Sequence, residues 1–305
     1  MRGSDILSKA KNPGAADRAS RSADRFRLAG PTQAVDRRVN AVRSDIADVA
    51  LAGRLFAPHY ACPIERRCCV PTVAMTAEPA GGSRAVSELR LGDGFALLDE
   101  SGGWAWGYSL DDHYVGYVPA SALGHDAAPT HFIKARTALV FAAPDIKAPV
   151  TGTLPIGARV AGEFEGDFLR VDDGFLHHRH VRALGEWHQD PAAVATKLLG
   201  TPYRWGGRSG FGIDCSGLIQ LALGLSGLVV PRDSDQQRDS IGQPIADSET
   251  LQRNDIVFFP GHVGLMLDER SIIHANAHAM VVSVEDLEAV VARGSAIVAR
   301  RRLTL

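Results

Sequence analysis

The chain has 305 residues, of which 45% are hydrophobic and 22% charged, with a formal net charge of −2. This composition is that of a soluble globular protein of about two domains, and it excludes fibrous, collagen-like and wholly disordered chains. The near balance of 33 basic and 35 acidic residues gives no electrostatic case for nucleic acid or membrane as a partner. In chain order, residues 1–44 are polar and lack hydrophobic periodicity, so they read as a flexible tail. Charged residues interrupt every apolar run at the start, leaving none of the roughly 7–15 residues that a secretory signal needs. No stretch reaches the ~18 apolar residues of a membrane span. The expected location is cytoplasmic, or periplasmic or secreted if the true start lies upstream.

Residues 45–67 read as a short helix and linker. Asp45 to Phe56 carries apolar residues at helical spacing, and Pro58 and Pro63 punctuate the linker beyond it. Cys62, Cys68 and Cys69 cluster without the paired spacing of a zinc site, so they read as inert thiols.

Two related stretches come next, assigned to residues 68–126 and 127–187. The first contains SELRLGDGFALLDESGGWAWGYSLDDHYVGYVPASALG and the second GTLPIGARVAGEFEGDFLRVDDGFLHHRHVRALG. Both run from an apolar strand through a Gly/acidic turn to an aromatic-bearing strand and end on Ala-Leu-Gly, the pattern of small all-β units. The GYVP string at Gly116–Pro119 resembles the end of a bacterial SH3-like barrel. His177, His178 and His180 have no carboxylate or cysteine at a matching offset and read as exposed strand residues. No metal or other cofactor is expected.

Residues 188–305 form an α+β unit. Asp190 caps a helix that begins at Pro191 and continues over Ala192 to Leu199, with Gly200 just beyond. A glycine-rich loop leads to a second helix starting at Cys215. Strands are expected at Asp255–Phe259, Gly264–Leu267, Ser271–Ala275, Met280–Val284 and Ala296–Arg301. A short helix over Val284 to Arg293 would be capped by Ser283 and Asp286.

Cys215 carries the chemistry. At a helix N-terminus, free N–H groups and the helix dipole favour thiolate and can hold an oxyanion. A thiol also needs a base. His262, in PGHVGLML, lies downstream on a different element, and His274, in SIIHAN, can accept the other imidazole N–H and fix its orientation.

The strings PYRWGG, DCSG with LIQ, PRDS with DQQ, NDIVFF, GHVGLML and IIHAN occur in this order. In this respect the segment resembles the NlpC-type cell-wall cysteine peptidases, which have a papain-like core. With two preceding SH3-like barrels, the chain resembles the γ-D-glutamyl-L-diamino acid endopeptidases. The resemblance implies Cys215 as nucleophile, His262 as base, His274 as orienting residue and Tyr203 as oxyanion helper. It implies that Ser216 and Gly217 line the cleft and that Asp233 and Ser234 contact substrate near its D-glutamyl part. It further implies that the first barrel closes the cleft and binds the substrate's free amine through a tyrosine and an acid. Tyr114 is the candidate tyrosine and Asp93 the candidate acid, with Glu88 as fallback.

The implied substrate is a murein peptide, L-Ala-γ-D-Glu-diamino acid, cut before meso-diaminopimelate or L-lysine during cell-wall peptide recycling. Two alternatives stand beside it: a secreted hydrolase of intact peptidoglycan, and a wall-binding SH3-like module with a silent peptidase domain.

Overall fold

The computed structural model describes residues 34–125, 127–294 and 296–304. Most of the expected tail, residues 1–33, lies outside them. Residues 34–44 are not a tail. Ala41 is buried against Leu98 and Trp106, and Arg43 stacks 4.5 Å over the Trp106 ring while bonding Asp99 at 2.7 Å. This arm therefore docks on the first β unit through an apolar patch backed by a cation–π contact.

The expected helix over Asp45 to Phe56 is absent. Ile46–Asp48 is a strand paired in parallel with His59–Ala61, and Val49–Leu51 makes one 3-10 turn. The Asp48 carboxylate accepts from the Ala50 N–H at 2.8 Å, and Gly53, at φ +82, turns the chain back. Ala47, Leu51 and Leu55 do meet, at the spacing that suggested a helix, but in a miniature core of their own. So short a segment gains too few helical hydrogen bonds to offset nucleation, and tertiary packing decides its form.

The first β unit is a seven-stranded sheet. Its order is Ala85–Arg90, Thr72–Thr76, Val115–Pro119, Trp104–Ser109, Gly94–Ser101, Ile64–Cys68 and Leu123–Gly124. Met75, Leu89, Phe95 and Val118 fill its inner face beside Cys68, whose thiol burial pushes up to about 12. The second unit builds a three-stranded and a five-stranded sheet over one core that includes Ile133, Leu154, Leu169 and Leu176. Neither unit is a closed barrel. Of the histidine cluster, His177 ends the strand Gly174–His177, whereas His178–His180 form a 3-10 turn. The His177 Nδ1 accepts the Arg179 N–H there, a local cap that outcompetes strand pairing.

The third unit has a six-stranded antiparallel sheet. In spatial order its strands are Gln243–Pro244, Ala299–Arg302, Ile256–Phe259, His262–Met266, Ser271–Asn276 and Val281–Asp286. Helix α1 (Pro191–Thr196) is capped by Asp190, which accepts from the Ala192 N–H at 3.1 Å. Helix α2 (Cys215–Gly224) packs on α1 and on the strand His262–Met266. It is apolar all round, reading LIQLAL after Ser216-Gly217, and is accordingly buried from Cys215 to Leu223. Helix α3 (Ser234–Ser240) comes next, and α4 (Leu287–Ala292) starts later than expected. Val281–Asp286 pairs along its whole length with Ser271–Asn276, so Asp286 rather than Ser283 caps α4. This leaves Glu285 on the strand.

Candidate active site

Asp214 organises the approach to Cys215. Its carboxylate accepts the Gly217 N–H at 2.8 Å, capping α2, and the Gly206 N–H at 2.8 Å. Arg232, 1% exposed, closes on the same carboxylate with bonds of 2.6 and 3.0 Å and donates to Ser216 Oγ at 2.8 Å. A buried guanidinium paired through both terminal nitrogens is tolerated, although its Nε finds no partner, whereas an unpaired one would be costly. Gly217 was expected to line the cleft. Instead its Cα faces the loop, where an added Cβ would meet the Gly207 carbonyl oxygen at 2.3 Å. Its role is close packing of helix on loop.

Cys215 is buried, with its thiol against the backbone N–H groups of Val263 and Ser216. Burial pushes the thiol up to about 11, and the neighbouring Asp214 carboxylate adds to the rise. The two N–H groups and Arg232 oppose it. Desolvation and the capping carboxylate thus work against the thiolate expected from the helix N-terminus.

Val263, which seats the thiol, follows His262 at the start of the strand that packs on α2. Burial first, then His274, pushes the His262 imidazole down to about 4. Its Nε2 lies 2.8 Å from His274 Nδ1. His274, 1% exposed, turns its other nitrogen to Glu285 Oε1 at 2.9 Å, and Arg293 bonds the far oxygen of that carboxylate. Tyr203 is held by its backbone between Ile213 and Met280, with its N–H donating to the Met280 carbonyl at 2.8 Å. Burial raises its hydroxyl to about 12.

These groups open on a cleft of about 510 Å³ between the third unit and the first β unit. Cys215, Ser216, Tyr203, Asp233 and Ser234 line one side, and Tyr114 lines the other. The Tyr114 hydroxyl donates to Asp233 Oδ2 at 2.9 Å, spanning the seam. Burial and the adjacent carboxylate raise Tyr114 far above the usual phenol range, so it remains a donor.

Neither expected acid reaches this cleft. Asp93 is fully buried and accepts from the Arg90 N–H at 3.0 Å and its Nε at 3.1 Å, with Arg159 at 3.8 Å. It braces a turn and the junction of the two β units. Glu88, 1% exposed, bonds Arg204 and accepts the Arg208 N–H at 2.7 Å. It ties the first β unit to the loop before Cys215. Both point inward because each satisfies buried donors that would otherwise be left without partners.

The acids that do line the cleft are Asp214, Asp233 and Asp235; Arg232 takes up Asp214, and Arg38 of the arm sits on the other two at 2.9 Å. Sequence reasoning missed Arg38, Asp235 and Glu285. Only Glu285 carried a signal, the period-two alternation of Ser283 and Glu285 along a strand that faces His274.

Residues 200–301 match the model of the NlpC/P60 family, and residues 75–123 match that of the bacterial dipeptidyl-peptidase SH3 domain. The dipeptidyl-peptidase 6 of Lysinibacillus sphaericus is 38% identical over 149 residues, covering 47% of this chain and 53% of that protein. The γ-D-glutamyl-L-lysine dipeptidyl-peptidase of Bacillus cereus is 32% identical over 117 residues, covering 35% of this chain and 34% of that protein. The chain thus spans about half or less of these relatives. An NlpC/P60 family protein of Bacillus cereus superimposes with a TM-score of 0.69 at 19% identity, over 79% of this chain and all of that one. At that identity the likeness is one of fold.

Proposed function

From a chain that carries an NlpC/P60 domain of papain-like fold behind a bacterial SH3 domain, we propose a cysteine peptidase acting on murein peptides. The bond cut is that between γ-D-glutamate and a diamino acid, meso-diaminopimelate or L-lysine, in peptides with a free N-terminal L-alanine. The observation that carries this reading is the Tyr114–Asp233 bond, which joins the SH3 domain to the catalytic unit across the cleft. A cleft walled there fits a short peptide that starts at that wall, and an ammonium placed there needs a carboxylate partner. With Asp93 and Glu88 committed to buried donors, Asp233 is that partner, alongside Tyr114 and in competition with Arg38.

The reaction is acyl transfer to water. His262 takes the Cys215 proton and the sulfur attacks the γ-carbonyl carbon. N–H groups at the start of α2, with the Tyr203 hydroxyl, hold the tetrahedral oxyanion. The C–N bond breaks, His262 returns the proton to the leaving amine, and a thioester remains. Water, deprotonated by His262, attacks the thioester, releasing the dipeptide acid and restoring the thiol. Ser216 and Ser234 line the path of the D-glutamyl part.

We assign residues 127–187 to a second SH3-like module on the strength of the sequence repeat, and residues 188–305 to the catalytic domain. A walled cleft suits soluble wall fragments in recycling rather than intact wall, consistent with a cytoplasmic site of action. The test is product analysis of L-Ala-γ-D-Glu-meso-diaminopimelate and its L-lysine counterpart, free and N-acetylated. Free peptides should release L-Ala-D-Glu and acetylated ones should resist, with Cys215→Ala inactive on both. Equal cleavage of both forms, or release of soluble fragments from intact sacculi, would reject the walled-cleft reading.

A further inference from the structure

The row of polar groups that joins His262 to His274 does not end there. His274 Nε2 lies 2.9 Å from Glu285 Oε1, and Ser283 Oγ and Asn276 Nδ2 approach the same oxygen at 3.4 Å. Arg293 holds the other oxygen, and this bond is the chief reason the carboxyl is held down at about 2. Paired with Arg293, Glu285 is ionised at neutral pH and there can only accept hydrogen bonds.

We propose that Glu285 is a positioning residue that fixes the direction of the hydrogen-bonded row through His274 and His262, leaving His262 Nδ1 bare to act as the base. The inference rests on the cysteine-peptidase reading above. Because Glu285 only accepts, His274 must carry its proton on Nε2. Its Nδ1 is then bare and must accept from His262, which carries its proton on Nε2. The remaining nitrogen, His262 Nδ1, holds a lone pair and can take the Cys215 proton.

Two facing imidazoles without Glu285 have a second arrangement, with both protons shifted to Nδ1. In that form His262 Nδ1 carries a proton and cannot act as the base. Glu285 removes this arrangement because it would set a bare nitrogen against a carboxylate. Its charge also lies one ring away from the imidazolium that forms when the thiol is deprotonated.

Glu285→Gln is a sharp probe because Arg293 donates only. The amide oxygen must turn to Arg293, so the amide N–H₂ turns to His274 and reverses the row. Long-range ¹H–¹⁵N spectra at neutral pH should place the His262 proton on Nε2 in the wild type and on Nδ1 in Glu285→Gln. In that variant kcat and the rate of Cys215 alkylation by iodoacetamide should fall together by about 10²-fold, within the worth of general-base assistance, with KM changed by less than about twofold. Glu285→Asp keeps an acceptor-only group, so it should keep the wild-type tautomer and lose less than about tenfold in kcat. A wild-type His262 proton on Nδ1, or a Glu285→Gln protein with that proton still on Nε2, would overturn the proposal. Should Glu285→Gln not fold, the wild-type and Glu285→Asp spectra still decide it. The spectra and the alkylation rate need no peptide, so they stand whether or not murein peptides prove to be the substrate.

Discussion

The Tyr114 hydroxyl and the Asp233 carboxylate meet at 2.9 Å across the seam between two domains, one end of the bond on each side of the cleft. Tyr114→Phe removes the donor and keeps the ring. A hydrogen bond to a charged group is worth about 1.5–3 kcal/mol, so kcat/KM for free-amine peptides should fall by about tenfold or more. Steady-state kinetics on the free tripeptide check this, with an unchanged melting temperature showing that the fold survives.

Arg38 competes for the same carboxylate. Its guanidinium bonds Asp233 and Asp235 while remaining partly exposed, so the pairing is worth only about 0.5–1 kcal/mol after solvent screening. Arg38→Ala should lower KM for free-amine peptides by about two- to fivefold with kcat unchanged. A rise in KM would instead make Arg38 part of the binding surface.

The thiol at about 11 and the imidazole at about 4 leave both groups neutral at pH 7. Thiolate accumulates only as pH climbs toward the raised thiol value, so iodoacetamide alkylation should accelerate steadily from pH 7 to 10. A preformed thiolate–imidazolium pair would give a plateau from about pH 5. The same shifts set stability. His262 and His188, both lowered to about 4 from 6.5 by burial, favour folding above pH 6.5, and that contribution disappears as pH falls through 4. Melting temperature should therefore begin to drop below pH 6.5, before the carboxylates titrate.

Gly217→Ala tests the seat of the nucleophile. In an open helix this change stabilises by about 1 kcal/mol, but here the new Cβ would meet the Gly207 carbonyl oxygen at 2.3 Å. Overpacking of this kind costs about 1–3 kcal/mol. A lower melting temperature together with loss of alkylation at Cys215 is the expected result.

Cys215, His262 and His274 stood out because each lies in a local pattern, a glycine-rich loop entering a capped helix, a turn before a strand and a histidine among apolar residues, whereas Tyr203 was named through the family resemblance alone; the structure puts Cys215 and Tyr203 on one cleft and pairs the two histidines. Asp93 and Glu88 were misread because a turn acid and a strand acid look solvent-facing until the arginines that pair with them are placed. Two of those arginines, Arg159 and Arg204, come from other units. Arg38 lay in what reads as a polar tail, and only the docking of its arm on Trp106 brings it to the cleft. The helix expected over Asp45 to Phe56 failed for a related reason: apolar residues four apart can cluster around a turn as readily as along a helix.

Glu88 has a consequence for how this protein can be taken apart. One carboxylate in the SH3 domain satisfies Arg204 and the Arg208 backbone, both on the loop between Tyr203 and Cys215. Severing the chain ahead of residue 188 would remove the carboxylate that holds Arg204 and the Arg208 N–H and leave both to water. The two units are thus tied at the loop before the nucleophile: heating should melt both in one transition, and exchange of this SH3 domain for one lacking the acid should loosen the very loop on which the nucleophile depends.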